Sequence, residues 1–120
     1  MLNIQKDLRR RLASAFPDAV VKRFVPEEIP ALLITVNREG GRRQNKLIDS
    51  PGIGIYVWGE SELETSEMAD EVADFMASLA FSEGYASVVQ EAMYSSPDPD
   101  TKRSRWYLSY TIQTYKPKGA

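Results

Sequence analysis

Acidic residues recur at four-residue spacing in the middle of the chain. Glu67 with Glu71, and Asp70 with Asp74, would each place two carboxylates on one face of a helix, an arrangement that can hold a hard cation such as Ca²⁺. No other type of ligand lies nearby in the sequence, and acidic residues are favoured near helix starts without any ligand. The pairs therefore indicate a solvated acidic helix face, with a cation site as the alternative.

Other patterns that could carry chemistry are incomplete. Gly52-Ile53-Gly54 lacks the third glycine and the strand-to-helix position of a dinucleotide-binding loop, and a strand edge or bulge explains it more simply. Asp98 and Asp100 alternate with prolines, but the glycine and the terminal glutamate of a calcium-binding loop are missing. Serine and lysine are present without the spacing of a nucleophilic hydrolase. These patterns predict turns and strand entrances.

The residue types that are absent narrow the function further. The 120 residues include no histidine and no cysteine, which removes the commonest general base, the commonest metal ligand and the thiol nucleophile. The 15 Lys and Arg residues against 17 Asp and Glu residues argue against duplex nucleic acid as a partner for the whole surface. We therefore expect no enzyme activity, no cofactor, no metal site and no specific nucleic-acid binding.

The strongest candidate contact surface is a basic stretch that the sequence predicts to be a long loop over residues 38–50. It combines adjacent glycines with cationic side chains and few apolar residues, and loops of about a dozen residues are often functional. A mobile tip that only maintains solubility is one alternative, and a small nucleic-acid-binding or adaptor module that uses residues 38–46 is another. The residues that would contact a partner or a neighbouring subunit are Arg38, Gly40, Gly41, Arg42, Arg43 and Lys46.

A strand followed by a capped helix is the clearest structural unit, and it would support this loop. Residues 53–58 alternate apolar side chains with glycine and aromatic residues, the two-residue period of a strand with unlike faces. Ser61 stands three residues before Glu64, the spacing of a capping box. Apolar residues then recur at three- and four-residue spacing, which predicts a helix over residues 62–80 that packs on the sheet.

The rest of the chain predicts one more helix and four more strands. Apolar residues at helical spacing indicate a helix over residues 2–16 that ends before Pro17. This order of elements predicts one α+β domain over residues 1–120, with a flexible tail at residues 116–120. Its single sheet would be mostly antiparallel or mixed, with about four to five strands and two helices packed on one face. The other predicted strands cover residues 19–25, 31–36, 85–94 and 106–113.

The opposite face of such a sheet has no helix to cover it. Aromatic residues that alternate with small polar ones on an uncovered face can mark a subunit interface. The candidates for that face are Tyr56, Trp58, Tyr107 and Tyr115.

Hydropathy predicts no contact with a membrane. No apolar run has the length that spans a bilayer. The N-terminus carries polar residues where a signal peptide would need a continuous apolar segment. We therefore expect a cytosolic protein.

The order of these landmarks resembles the tail-terminator proteins of long-tailed bacteriophages and, more loosely, the minor tail and neck proteins that share their fold. Two parts of the resemblance are the most distinctive. Val57-Trp58-Gly59 precedes an acidic, alanine-bearing helix, and Pro97-Asp98 precedes a strand that opens with Arg105-Trp106. The other landmarks are the N-terminal helix, the strand Ala31-Leu32-Leu33-Ile34-Thr35-Val36, the Gly40-Gly41 loop and the helix over residues 62–80.

The resemblance implies a structural role in a virion. Proteins of this family form a hexameric ring at the head-proximal end of the tail tube, stop tube growth and present a surface to the head completion or neck proteins. It implies that this chain assembles in the host cytoplasm with itself, with the tail tube protein and with a neck protein. The loop over residues 38–46 would project toward a neighbouring subunit or the tube. A protein partner is favoured there because basic groups in a lumen that passes DNA would retard the DNA.

Overall fold

The alternating segments of the sequence lie on neighbouring strands of one mixed sheet. The structure is a computed structural model that describes residues 3–43 and 48–115, without the side chains of residues 41–43, 48 and 49. Across these residues the chain forms two α-helices and five strands, which confirms the predicted α+β class. In chain order the elements are α1 (Ile4–Ala15), β1 (Val20–Lys22), β2 (Leu33–Arg43), β3 (Ile48–Gly59), α2 (Glu62–Ser78), a 3₁₀ turn (Leu79–Phe81), β4 (Tyr85–Ser95) and β5 (Ser104–Tyr115).

The strand order across the sheet is β1-β2-β3-β5-β4. β1 runs parallel to β2, and each of the other neighbouring pairs is antiparallel. Trp58 of β3 pairs with Leu33 of β2 and with Arg105 of β5, and the same register places Tyr56 beside Tyr107. The short strand β1 and the long strand β4 are therefore the two edges.

The first helix covers the β1 side of the sheet. The Asn3 side chain accepts a hydrogen bond of 3.1 Å from the backbone N–H of Lys6, which caps the helix start. The residues of α1 that face the sheet, Ile4, Leu8 and Leu12, are buried, and the helix contacts β1 and β2. The helix ends before Pro17, as the sequence predicts.

The second helix covers β5 and β3 and also contacts β4. Ser61 Oγ accepts a hydrogen bond of 3.2 Å from the backbone N–H of Glu64, so the predicted cap is confirmed. A turn of 3₁₀ helix follows Ser78, close to the predicted end. Phe75 of α2 meets Phe16, just after α1, with ring centroids 5.9 Å apart. The residues of α2 that face the sheet are Thr65, Ala69, Val72 and Met76.

The core lies between the two helices and one face of the sheet. Alternate residues of β2, β3 and β5 point to this side and are shielded from solvent, as the two-residue period predicts. Burying each of these aliphatic side chains stabilises the fold by about 1.5–3 kcal/mol. Those with no exposed surface are Ile34, Val36, Ile53, Ile55, Val57, Leu108 and Ile112.

The prediction of a long loop over residues 38–50 is wrong. β2 continues through Arg43 and β3 begins at Ile48, so most of this stretch is a β-hairpin. Gly40 has a φ of 124° beside the register shift between Arg38 and Gly40. That backbone region favours glycine, so the glycine accommodates a bulge within an extended strand. Pairing with β3 keeps this polar segment extended.

Several strand boundaries also differ from the prediction. The strand expected over residues 19–25 is limited to Val20–Lys22, because it pairs only with the first residues of β2. The strand expected over residues 31–36 begins at Leu33, and its first four residues are buried on both sides of the sheet, as predicted. The predicted strands over residues 85–94 and 106–113 are confirmed and slightly longer. The predicted flexible tail at residues 116–120 lies outside the described residues.

Candidate assembly surface

The face of the sheet opposite the helices carries a row of aromatic side chains. Because successive residues of a strand point to opposite faces, Tyr56 points away from the core while its neighbours Ile55 and Val57 point into it. Tyr107 of β5 pairs with Tyr56, and Tyr94 of β4 pairs with Tyr107. Three adjacent strands thus contribute one tyrosine each to the same level of this face.

The three tyrosines are in contact and form a continuous surface, which we name the tyrosine row. The ring centroids of Tyr94 and Tyr107 are 5.4 Å apart, and those of Tyr107 and Tyr56 are 4.9 Å apart. Both pairs are tilted, a geometry that aromatic rings favour over a face-to-face sandwich. Tyr94 is 51% exposed, while Tyr56 and Tyr107 are half-buried. The row is therefore a fixed apolar surface that remains accessible to a partner.

Arg105 closes one end of the tyrosine row. Its guanidinium lies 4.5 Å from the ring centroid of Tyr56 and 5.1 Å from that of Trp58, both cation–π distances. Its Nε donates a hydrogen bond of 2.7 Å to the Ser96 carbonyl, and Nη1 lies 3.7 Å from the Asp98 carboxylate. This cation is satisfied within the chain.

Glu39 lies beside the middle of the row. The Tyr107 hydroxyl donates a short hydrogen bond to Glu39 Oε1. Burial of the ring, and then this hydrogen bond, raise the pKa of Tyr107. The Glu39 carboxylate lies directly over Gly54, in the space that a Cβ at that position would fill. The glycine therefore leaves room for the carboxylate on this face.

Trp58 is buried, whereas the sequence predicts it to be an exposed interface residue. It lies on the helix-free side but is only 3% exposed, and its indole Nε1 has no hydrogen-bond partner among the described residues. Arg103 donates hydrogen bonds to Gly59 and to carbonyls of residues 29–31, which holds that segment at this end of the sheet. The Arg105 guanidinium packs over the Trp58 indole and contributes to its burial. Trp58 is a packing residue.

Tyr115 is not part of the tyrosine row. It is 56% exposed and pairs with Ile48 at the far end of β5. Alternation along β5 places Tyr115 on the same face as Tyr107, but the two tyrosines are eight residues apart along the strand. Of the four predicted interface aromatics, Tyr56 and Tyr107 are brought together at an accessible surface.

The predicted basic contact residues occupy the β2–β3 hairpin rather than a loop. Arg38, Gly40, Gly41, Arg42 and Arg43 belong to β2, and Lys46 lies outside the described residues. The backbone N–H of Arg38 donates a hydrogen bond of 3.1 Å to Gln5 Oε1, and Arg38 Nε donates one of 3.1 Å to the Gly40 carbonyl. Arg38 pairs with Ile53, whose side chain lies on the core side. The Arg38 backbone is thus bonded to α1, and its side chain lies on the face opposite the tyrosine row.

Tyr94, Arg105 and Glu39 belong to this surface and are absent from the sequence prediction. A register shift between Gln90 and Ala92 turns Tyr94 to the same face as Tyr107. Glu39 lies on this face by simple alternation, because it continues the parity of Thr35 and Asn37 in β2. Simple alternation does not identify Tyr94, because a bulge reverses the facing of every residue beyond it. The sequence contains no signal strong enough to place that bulge.

The acidic residues of α2 are solvent-exposed. Glu67, Asp70, Glu71 and Asp74 are all exposed on the helix, in agreement with the interpretation as a solvated face. Within residues 3–43 and 48–115, no group of three His, Cys, Asp or Glu side chains is placed to hold a metal ion. Phe16, Met68 and Glu71 border a shallow open groove between the helices, with a volume of about 420 Å³.

Comparison with known proteins gives no relative from which to transfer a function. No protein-family model matches the chain, and a search of the curated proteins finds no match either. None of the helices in the described part of the chain has the length and apolar character needed to cross a membrane. The function is therefore inferred from the residues, from the geometry of the surface and from the resemblance of landmarks.

Proposed function

We propose that this chain is a structural subunit of a phage tail. It acts as a tail terminator or tail completion protein that forms a ring at the head-proximal end of the tail tube and joins the tube to the neck. Its partners are further copies of itself, the tail tube protein and a head completion protein. Its place is the tail and neck region of the virion.

The observation that carries this proposal is the helix-free face with its tyrosine row. Tyr94, Tyr107 and Tyr56 form a pre-arranged aromatic surface, and such residues are enriched where proteins bind one another. The two charged side chains beside the row, Glu39 and Arg105, are already engaged within the chain. Neither the Glu39 nor the Arg105 charge would be left unpaired when a partner covers this face. A protein partner therefore fits the face better than a polyanion.

The order of elements also supports the proposal. The landmarks of the resemblance occur in the order helix, strand, hairpin, capped helix and closing strand pair. Val57-Trp58-Gly59 ends β3 directly before α2, and Arg105-Trp106 opens β5. The two most distinctive motifs therefore meet in space, since Trp58 pairs with Arg105. Each motif contributes to the end of the sheet that adjoins the tyrosine row.

The basic hairpin supplies a second contact in this proposal. Residues 38–46 contain four cations and a single acid. The described part of this stretch, residues 38–43, belongs to β2 and pairs with β3 beyond the three residues of β2 that pair with β1. A protein partner with an acidic surface, such as a tube subunit, fits this hairpin. DNA that moves through the lumen would be retarded by the same charges.

The test combines the purified full chain with tail tubes assembled from the major tail protein encoded beside its gene. We expect sixfold rings in negative-stain images, bound at one end of each tube and halting its growth. Light scattering that shows only monomers, together with bare tube ends in the images, would contradict the proposal.

A matched pair of variants tests the surface itself. Tyr94→Ser removes an exposed member of the tyrosine row, whereas Tyr115→Ser removes a similarly exposed tyrosine outside it. We expect tube-end binding to weaken in the first variant and to remain in the second. Equal binding by both would show that the row is not the contact. Salt-sensitive binding to a fluorescent oligonucleotide would instead support the nucleic-acid alternative.

A further inference from the structure

We infer that copies of this chain associate head to tail, with the basic edge formed by α1 and β1 of one copy against the acidic edge formed by α2 and β4 of the next. The inference deepens the proposed function and rests on it, because it names the contact through which the ring would close. It does not require the tube or the neck protein, so it can be tested separately.

The basic edge consists of Lys6, Arg9, Lys22 and Arg23. Lys6, Lys22 and Arg23 are exposed, and within the part of the chain that the structure describes none of these four side chains forms an ion pair. Arg9 Nη1 donates a hydrogen bond of 3.5 Å to the Val36 carbonyl, and the Arg23 carbonyl accepts one of 2.6 Å from the Asn37 side chain, so Arg9 and Arg23 both contact adjacent residues of β2. A group of cations at one edge favours an acidic partner.

The acidic edge has the opposite composition. Residues 60–91 contain nine Asp and Glu residues and no Lys or Arg. Asp70 and Asp74 of α2, Glu83 before β4 and Glu91 within β4 are exposed. None of the four forms an ion pair with another described residue. This edge therefore carries strong negative charge that the fold does not neutralise.

The two charged edges lie at opposite sides of the sheet. β1 and β4 are the outermost strands, with three strands between them. An association about a twofold axis would place identical edges together and bring like charges into contact, which opposes binding. A head-to-tail contact pairs unlike charges at every interface. Such a contact generates a closed ring when the rotation between copies closes.

Each edge also offers apolar surface for the contact. Phe24, directly after β1, is 70% exposed, and its neighbour Val25 is exposed as well. Phe81, in the 3₁₀ turn between α2 and β4, is 93% exposed. Exposed aromatic residues surrounded by charge are typical of association surfaces. Since one chain carries both complementary edges, a second copy satisfies both with a single kind of contact.

The test uses two charge-reversal variants of the full chain. Lys22→Glu with Arg23→Glu makes the basic edge acidic, and Asp70→Lys with Asp74→Lys makes the acidic edge basic. We expect each variant alone to lose self-association by roughly tenfold or more at low ionic strength. An equimolar mixture should recover it, because each contact in a mixed assembly again pairs unlike edges. Sedimentation velocity measures both effects, and circular dichroism confirms that the variants are folded.

A matched control separates local charge from net charge. Glu27→Lys with Glu28→Lys changes the net charge by the same amount as the Asp70 and Asp74 pair, at exposed positions outside the acidic edge. We expect this control to associate like the wild type. The inference is overturned if the wild type does not self-associate at low ionic strength, if the mixture stays dissociated, or if the control dissociates as strongly.

The outcomes also distinguish this inference from the proposed function. If association follows the edge charges but the rings ignore tail tubes, the head-to-tail contact stands and the tail-terminator role fails. If the chain caps tubes while the reversed variants assemble normally, the role stands and the edges are not the contact.

Discussion

The Tyr85 hydroxyl donates a hydrogen bond of 2.6 Å to the buried carboxylate of Asp7. Asp7 lies in the first turn of α1, and Tyr85 begins the edge strand β4, so this contact joins the N-terminal helix to the far side of the sheet. Arg10 and Arg11 donate to the same carboxylate at 2.6 and 2.8 Å. Asp7, Arg10 and Arg11 belong to α1 itself, so the Tyr85 hydroxyl is the member of this group that ties the helix to β4, at a point distant from the tyrosine row.

Removing the Tyr85 hydroxyl should destabilise the fold. Tyr85→Phe leaves a buried carboxylate with one donor fewer, and a hydrogen bond to a charged group contributes about 2 kcal/mol. Tyr110→Phe is the matched control, because Tyr110 is equally buried but donates to the neutral Gln90 amide oxygen at 3.0 Å; that loss should cost about 1 kcal/mol. Urea unfolding monitored by circular dichroism measures both. A larger loss for Tyr110→Phe would contradict the assignment.

Stability should fall at acid pH through Asp7. Burial would raise the pKa of this carboxyl, but the hydrogen bonds from Tyr85, Arg11 and Arg10 outweigh burial and hold the pKa below its ordinary value of 3.8. The unfolded carboxyl titrates near that ordinary value, so the contribution is complete above about pH 4 and is lost as pH falls through the lower, folded pKa. Thermal unfolding at a series of pH values measures this slope.

The control for the acid slope is Asp7→Asn. This variant should be less stable at neutral pH and should lose much of the decrease in unfolding temperature below pH 4. Part of the decrease should persist, because a hydrogen bond from Thr101 also lowers the pKa of Asp98. An unchanged acid slope in Asp7→Asn would show that Asp7 does not cause it.

Alanine should be tolerated better at Gly54 than at Gly59. The three atoms nearest a Cβ at Gly54 all belong to the end of the flexible Glu39 side chain, which can move away at the cost of its bond to Tyr107. Because Glu39 is exposed to solvent, that bond contributes only about 1 kcal/mol. A Cβ at Gly59 meets Thr65 in the first turns of α2, where overpacking costs about 1–3 kcal/mol. Urea unfolding ranks the two variants. NMR titration should also show a lower Tyr107 pKa in Gly54→Ala, and an unchanged pKa would contradict the contact.

Arg103→Lys should loosen the segment that the Arg103 side chain holds, residues 29–31. The guanidinium donates to the carbonyls of Gly59 and of residues 29–31 at 2.8 to 3.3 Å, and a lysine cannot reproduce this planar fork. We expect a loss of about 1–2 kcal/mol and faster proteolysis within residues 23–32. Arg23→Lys is the control, since its side chain donates no hydrogen bond within the described residues. Equal protease sensitivity in the two variants would contradict this role.

Neutralising the hairpin should weaken partner binding without affecting the fold. Replacing Arg42, Arg43 and Lys46 by glutamine removes the charges that would meet an acidic protein surface. We expect tube-end binding to fall and to lose much of its dependence on salt, while the unfolding temperature stays the same. Replacing Lys102, Lys116 and Lys118 by glutamine removes the same charge elsewhere. Undiminished binding by the hairpin variant would exclude the hairpin as a contact.

The local patterns of the sequence determined most elements of the fold. The capping residue Ser61, the breaker Pro17 and the alternation along residues 106–113 each act within a few residues, and the structure confirms all three. The α+β class follows from their order. The sequence also identified Tyr56 and Tyr107 as residues of the helix-free face, because simple alternation is uninterrupted through both.

The tertiary structure decided what depends on pairing and on distant contacts. The polar hairpin is extended because β3 pairs with β2, which local composition does not reveal. A bulge turned Tyr94 to the open face, and the Arg105 guanidinium packs over Trp58, which is only 3% exposed. The Asp7–Tyr85 contact joins residues 78 apart. Such contacts form only once the chain has folded, since their stabilisation must exceed the entropy lost in closing the intervening chain.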